Sequence, residues 1–375
     1  MKDKNQDKYY NIAISTRNNA KARRSDKMKI KLGVIGFGGM GKWHADNAPR
    51  AGVEVTAVCD IDEVKQKEAL DKGFRLYTSA EELLSDSEVN TVILTVPNHL
   101  HKEMAIKAAK AGKNVITEKP AALNVAELDE MEAACKKAGV FFTAHQNRRW
   151  DRDMLIVKKA YDEHLLGNIF TIESKLHSGN GYMHEWHLYK KYGGGMIYDW
   201  GVHLIDQILF MMPEAKVKSI YADIKNVLHE EVDDYFKIIL KLDNGVTAHI
   251  ELSTYILKYQ PRWLAAGDKG TMVVNSFGCD GAIYRTGKML EKLPPQITET
   301  EAGPTRQFAP VPPGGIVEEP LPEVKTDWVD FYRNVSDVLN GKAESKIKIS
   351  EVRRVLSVME AAWKSAETGE AILFE

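Results

Sequence analysis

Lys29-Ile30-Lys31-Leu32-Gly33-Val34-Ile35-Gly36-Phe37-Gly38-Gly39-Met40-Gly41 is the stretch whose reading decides the fold. An apolar run delivers the chain into a glycine turn, and a helix-like pattern opens directly behind it. Strand, turn and helix in that order form the G-x-G-x-x-G arrangement that cradles a dinucleotide. Gly36 permits the tight turn, Gly38 lets backbone approach a pyrophosphate, and Gly41 allows close helix–strand packing. Phe37, Gly39 and Met40 complete the turn, and the helix start offers free N–H groups to phosphate oxygens. A second apolar run, VEVTAVC, ends at Asp60, 19 residues after Gly41. A carboxylate there accepts hydrogen bonds from the adenosine ribose and repels a 2′-phosphate, so the expected cofactor is NAD(H), with NADP(H) second.

Outward from this turn, short apolar runs alternate with helical ones: VEVTAVC, VNTVILTV, NVIT and VFFTA, each separated by a helix. Continuous rather than alternating hydrophobicity fits a parallel sheet covered on both faces. Gly52, Gly73, Gly112 and Gly139 fall where the intervening helices should stop. The expectation is an α/β, doubly wound Rossmann domain over residues 29–146.

Beyond it the rhythm changes. A helix-like stretch, Arg152–His164, precedes the extended run NIFTIESKLHS and a Gly-rich loop. A long apolar helix, GMIYDWGVHLIDQILFMM, follows. Longer strands then come without helices between them, joined at Asn244-Gly245 and at the GDKG turn of 267–270, which reads as antiparallel hairpins. A second, α+β domain with an open, largely antiparallel sheet is expected over 147–375. Eight of the 13 prolines lie between Pro294 and Pro322, which predicts an excursion without regular structure over 294–325. Two helices should close the chain, at about 326–340 and 350–368, the second with Ser350 as N-cap.

Composition removes several function classes. The 375 residues are 44% hydrophobic and 28% charged, and 51 Lys+Arg against 53 Asp+Glu leave a net charge of −2. Nucleic-acid binding would favour a basic excess. Three cysteines, Cys59, Cys135 and Cys279, show no C-x-x-C spacing, which suggests neither a disulfide framework nor a zinc site and suits a reducing cytoplasm. No apolar run is long enough to span a bilayer, so no membrane partner is expected. Residues 1–28 carry eight basic and three acidic side chains, a local charge of +5, which reads either as a solvated tail or as an arm for a neighbouring subunit.

Candidate chemistry sits at strand ends. Thr95-Val96-Pro97-Asn98 follows VNTVILTV, and Glu118-Lys119-Pro120 follows NVIT. Ligands of open α/β sheets bind there, which makes Thr95, Pro97, Asn98, Glu118 and Lys119 cofactor candidates. A lysine beside the nicotinamide can hydrogen-bond a substrate oxygen; the alternative is an ordinary surface lysine. In Gly193-Gly194-Gly195-Met196-Ile197-Tyr198-Asp199-Trp200-Gly201-Val202-His203, helical spacing puts Asp199 and His203 on one face, beside a glycine loop that would let another molecule approach. Such a pair can work in acid–base chemistry or simply satisfy a core histidine. The loop Gly179–His187 offers His184, Trp186 and His187 for sugar contacts through hydroxyls and ring faces. His184 and His187 lack a third metal ligand at useful spacing, so no metal is expected. Arg148 and Arg149 should lie at the domain junction, where either touches a ligand or forms an ion pair; Arg149 is the substrate candidate.

GFGGMG, EKP, GGGxxxDxGxH and His145-Gln146-Asn147-Arg148-Arg149-Trp150-Asp151, in this order, resemble the Gfo/Idh/MocA family of glucose–fructose oxidoreductase and inositol dehydrogenase relatives. The likeness runs from about Lys29 to the closing helix. It implies a Rossmann domain, an α/β domain whose open sheet often mediates homo-oligomers, and NAD(P) meeting substrate between them. It also implies Lys119, Asp199 and His203 as the catalytic group. A neutral histidine suits removal of a hydroxyl proton as hydride leaves carbon. In that scheme His203 is the base, Lys119 holds the reacting oxygen, and Asp199 binds a neighbouring hydroxyl or orients the histidine. The lysine is the alternative proton acceptor. Three readings follow: a dehydrogenase acting on a secondary hydroxyl of a sugar, inositol or glycoside; redox-assisted glycoside cleavage with retained NAD; or a non-enzymatic dinucleotide-binding regulator, whose hallmark would be loss of the lysine or histidine.

Overall fold

A computed structural model describes residues 28–288, 297–306, 311 and 313–374. The charged stretch 1–28 lies outside them except for Met28. Six short strands, β1 (Lys31–Ile35), β2 (Glu54–Cys59), β3 (Arg75–Tyr77), β4 (Thr91–Leu94), β5 (Asn114–Thr117) and β6 (Phe142–Ala144), form one parallel sheet ordered β3-β2-β1-β4-β5-β6. β4 is buried at all four positions, as the unbroken apolar run requires of a sheet with two covered faces. The intervening helices are α1 (Gly39–Asn47), α2 (Glu63–Asp71), α3 (Ala80–Ser85), α4 (His101–Lys110) and α5 (Val125–Ala138). Asn124 caps α5 through Glu127 N–H, and Gly139 ends it in the left-handed region at φ +65°. Strand order reverses between β1 and β4, which opens a crevice at their C-terminal ends.

The second sheet holds nine strands: β7 (Ile169–His177), β8 (Val217–Lys225), β9 (Tyr235–Leu242), β10 (Thr247–Ser253), β11 (Trp263–Gly267), β12 (Gly270–Val274), β13 (Gly281–Thr286), β16 (Ile316–Pro320) and β17 (Ile372–Leu373). Both expected hairpins form, β9–β10 across Asn244-Gly245 and β11–β12 across 267–270. Only β7 and β10 pair in parallel. One face is covered by α6 (Arg152–Asp162), α7 (Val202–Met211) and α9 (Ile349–Thr368), which pack on β11, β10 and β8.

Four expectations change. Between β2 and β4, where one helix was expected, the chain forms α2, the short edge strand β3 and α3. The proline-rich excursion contains regular structure: β14 (Ile297–Thr300) and β15 (Gly303–Arg306) make a hairpin, and β16 adds an outer strand to β13. Edge positions tolerate proline because only one side of the strand must donate. The last helix starts at Ile349 with Lys348 rather than Ser350 as N-cap, since Glu351 Oε2 accepts the Lys348 N–H at 3.4 Å. The single long helix at 195–212 is divided: Ile197–Gly201 is a wider π turn, and α7 begins only at Val202.

The closing helices tie the two sheets together. α9 packs on α5 and β6 as well as on β8, and α8 (Asp330–Leu339) packs on the 3-10 turn Ala48–Ala51 that follows α1. Thr143 Oγ1 donates to Ile347 O at 3.2 Å, so the end of the chain is anchored on the first sheet.

Candidate functional site

The glycine turn is fixed by steric limits. Gly36 has φ +92°, and a Cβ there would stand 2.6 Å from Thr95 O; a Cβ on Gly41 would stand 2.0 Å from Gly36 O. Neither position admits a side chain. A Cβ on Gly38 or Gly39 would meet nothing within 4 Å, so this part of the turn faces open space. The start of α1 has no side-chain cap. Open backbone with free N–H groups at a helix N-terminus fits the pyrophosphate of a dinucleotide. Asp60 anchors the far side: Oδ2 accepts Phe37 N–H at 2.6 Å and Oδ1 accepts Asp62 N–H at 2.9 Å. Phe37 is a correction. Its ring is fully buried against Phe74 and its N–H is taken by Asp60, so it shapes the turn and offers a ligand nothing.

Between the strand ends and the second sheet's loops lies a cleft of about 400 Å³. Gly38, Gly39, Met40, Thr95, Asn98, Glu118 and Lys119 line it from one side; His184, Trp186, His187, Asp199 and His203 line it from the other. Asn98 Nδ2 donates to Gly193 O at 2.8 Å and pins the two sides together. Gly36, Gly41, Asp60 and Pro97 stand outside this lining. Trp43, Asn147, Arg148, Trp200 and Trp328 belong to it although the sequence reading gave them no firm role. Asn147 and Arg148 lay within the quoted HQNRRWD motif, and Trp43 lies two residues past the turn; nothing local marks Trp328.

Lys119 Nζ donates to Asp199 Oδ1 and, at 2.9 Å, to the Asp199 backbone carbonyl. His187 Nε2 stands 3.8 Å from the same carboxylate oxygen. Burial opposes ionisation of Asp199, but the Lys119 and His187 charges outweigh it and hold the carboxyl below its ordinary range. His203 is buried at the cleft wall, and burial followed by the cations of Lys119 and Arg148 holds its imidazole well below the usual value. It is therefore neutral at pH 7, and its Nδ1 has no hydrogen-bond partner. Asp199 thus aims Lys119 and makes no hydrogen bond to His203, against the option that it orients the histidine.

Behind Lys119 lies a buried polar network absent from the sequence reading. Glu118 Oε1 lies 2.8 Å from both His44 Nε2 and His145 Nδ1, and Oε2 accepts the Lys119 N–H at 3.0 Å. Burial raises the Glu118 carboxyl, but His145 and His44 carry it well below the ordinary range. An ionised carboxylate only accepts, so both imidazoles donate to it. His44 Nδ1 is then an acceptor, and Tyr332 OH donates to it at 2.7 Å. His44, Glu118 and His145 are the one group of three metal-capable side chains close together among the described residues, and these hydrogen bonds already occupy them.

Two further corrections concern neighbours of the cleft. Arg149 does not line it. Its guanidinium is buried, with Nε and Nη2 donating to Asp206 at 2.8 and 2.6 Å and Nη1 to Glu351 at 2.6 Å, so its charge is consumed in joining α7 to α9. Arg148 faces the cleft instead, its guanidinium 4.0 Å above the Trp200 ring. The glycines at 193–195 do not leave room for a ligand either: a Cβ on Gly194 would fall 2.3 Å from His187 O, so they let the protein's own loops approach one another.

Among the described residues no helix is long and apolar enough to cross a membrane. Residues 30–146 match the oxidoreductase family with an NAD-binding Rossmann fold, and residues 154–273 match the GFO/IDH/MocA C-terminal domain. The chain is 30% identical over 315 residues to an uncharacterized oxidoreductase of Schizosaccharomyces pombe, covering 79% of this chain and 84% of that protein. It is 28% identical over 363 residues to the scyllo-inositol 2-dehydrogenase (NADP(+)) of Bacillus subtilis, covering 92% and 96%. The solved structure of an NAD-binding protein from Listeria innocua matches with a TM-score of 0.85 at 36% identity, covering 92% of this chain and 100% of that one. Glycine turn, cleft and both matched segments lead to one conclusion: the chain belongs to the Gfo/Idh/MocA oxidoreductases, with an NAD-binding Rossmann domain at its N-terminal side.

Proposed function

We propose that this chain oxidises a secondary hydroxyl of a sugar, inositol or glycoside, with NAD as hydride acceptor. One observation carries the reading: Lys119 and, 80 positions on, Asp199 with its neighbour His203 line the same cleft as the open edge of the glycine turn. The bound cofactor supplies the hydride-accepting nicotinamide C4. His203, neutral and with an unpartnered Nδ1, removes the hydroxyl proton. Lys119 holds the reacting oxygen and stabilises its negative charge, while Asp199 and the Glu118 network fix where the ammonium points. His184, Trp186 and His187 contact the remaining hydroxyls and ring face. Asp60 at the end of β2 favours NAD over NADP.

We also infer that copies of the chain associate through the uncovered face of the nine-stranded sheet, where exposed Tyr221 pairs with Ile239, and that the protein works in the cytoplasm, with Cys59, Cys135 and Cys279 as free thiols. Light scattering tests the first point.

The activity test is incubation with NAD or NADP and a panel of sugars, inositols and glycosides, following nicotinamide absorbance and product mass. Ketone formation with NADH is the expected result; cleavage without net NADH would select redox-assisted glycoside cleavage. Lys119→Ala and His203→Ala should each lower turnover by about 10²–10⁴-fold and leave the Kd for NAD nearly unchanged. Near-normal turnover in both would remove the catalytic assignment.

A further inference from the structure

A second cavity, of about 350 Å³, adjoins the cleft. The two share His184, His187, Asp199 and Trp200, whereas Lys119 and His203 line only the first. The first has to take the nicotinamide end of the cofactor together with the reacting ring, because the glycine turn, Thr95 and Lys119 all border it. The second is bordered by neither the glycine turn nor Lys119 and His203.

Its walls specify a chemistry. Met183, Met196 and Leu252 supply an apolar side; Ser178, Asn180 and Thr254 supply hydroxyl and amide groups. Thr254 is only 5% exposed, and its Oγ1 has no hydrogen-bond partner. Its backbone N–H is satisfied by Asp234 O at 3.0 Å, so the hydroxyl alone is orphaned. Thr254 lines the cavity, and a ligand hydroxyl that reaches its Oγ1 would recover a hydrogen bond that the free protein forgoes. No lysine or arginine lines the cavity, and its one carboxylate, Asp199, is already engaged by Lys119. A phosphate or carboxylate would find no permanent cation there, only the imidazoles of His177, His184 and His187. Tyr182 stands exposed beside the opening, with its ring stacked on His184 at 5.8 Å and 10°. An apolar wall, a hydroxyl-binding edge and a flat aromatic rim match a neutral pyranose, which has an apolar face and a hydroxylated perimeter.

We propose that this cavity is a subsite for a second, neutral sugar ring, so that the substrate is a glycoside of disaccharide size or larger rather than a free monosaccharide or inositol. The inference rests on the sugar-oxidation reading above.

The test assays the full chain with NAD against glucose, galactose and myo-inositol and against maltose, cellobiose and lactose. At least one disaccharide should give a kcat/KM about ten-fold or more above its constituent monosaccharides. Thr254→Val and Tyr182→Ala should each lower that disaccharide value by about ten-fold while the monosaccharide values stay in place. Thr254→Val should melt no lower than the parent, since it removes an unpaired buried hydroxyl; Tyr182→Ala changes an exposed side chain and serves as the second variant. Equal values for mono- and disaccharides, or disaccharide values untouched by both substitutions, overturn the subsite and leave sugar oxidation standing. No hydride transfer from any member of either set overturns the underlying reading itself.

Discussion

The glycine turn and the Lys119 corner line the same cleft and are built in opposite ways. The turn is contiguous, Gly36–Gly41, and acts through backbone that has no room for a Cβ at two positions and open space at two others. The corner takes Lys119 from the end of β5, Asp199 from a π turn and His203 from α7, and it rests on a buried network reaching from His44 to Tyr332. The lesson is that a local steric device can be damaged without unfolding the chain, whereas a corner assembled from distant polar groups is also part of what holds the protein together.

That contrast can be broken experimentally. The largest effect should come from Glu118→Ala, which strands two imidazole donors and the Lys119 N–H in a buried space: a loss of about 3–5 kcal/mol in unfolding free energy, read by denaturant titration. Retained stability would mean that the network does not support the corner. Next comes its pH dependence. Burial, then the charge of His145, depresses His44 to about 4, while in the unfolded chain it titrates near 6.5. Between those values unfolding takes up a proton, so stability is lost as pH falls. The advantage of the parent over His44→Gln should therefore shrink by about 3 kcal/mol from pH 6.5 to pH 4. A gap independent of pH would place that titration elsewhere.

Damage to the turn should be smaller and of another kind. Gly41→Ala forces a methyl into Gly36 O and should cost about 1–3 kcal/mol, seen mainly as weaker NAD binding in calorimetry. Asp60→Ala should change stability least and, on the proposed role of Asp60, move the NAD-to-NADP ratio of kcat/KM toward NADP by about ten-fold, a shift of about 1.4 kcal/mol. An unchanged ratio would remove Asp60 from cofactor choice.

The same contrast explains what could be read in advance. Five strands of the six-stranded sheet were legible because they are apolar runs punctuated by glycines, and the β9–β10 hairpin because Asn244-Gly245 is a local turn signal; β3, the three-residue edge strand Arg75–Tyr77, has no buried position and left no such run. Lys119, Asp199 and His203 were legible through short motifs, and the structure lines one cleft with all three. Arg148 and Arg149 could not be told apart by residue type. Their fates depend on Asp206, Glu351 and Trp200, contacts that no local pattern encodes. Tyr332 and Trp328 lie in an unremarkable stretch near the C-terminal helices, and only the return of that stretch to the first sheet gives them a place at the site. The break of the 195–212 helix into a π turn was hidden by a continuous apolar pattern, which both helix types satisfy.

The hydrogen bond from Tyr332 to His44 spans 288 positions of sequence. On a ribosome the glycine turn and all six strands of the first sheet emerge long before Tyr332 does. A nascent chain can thus acquire its nucleotide-binding shape while His44 still lacks the donor that completes the network behind Lys119. Synthesis itself spaces the two regions in time: the glycine turn is made first, and the network behind Lys119 is completed only when the last helices fold back.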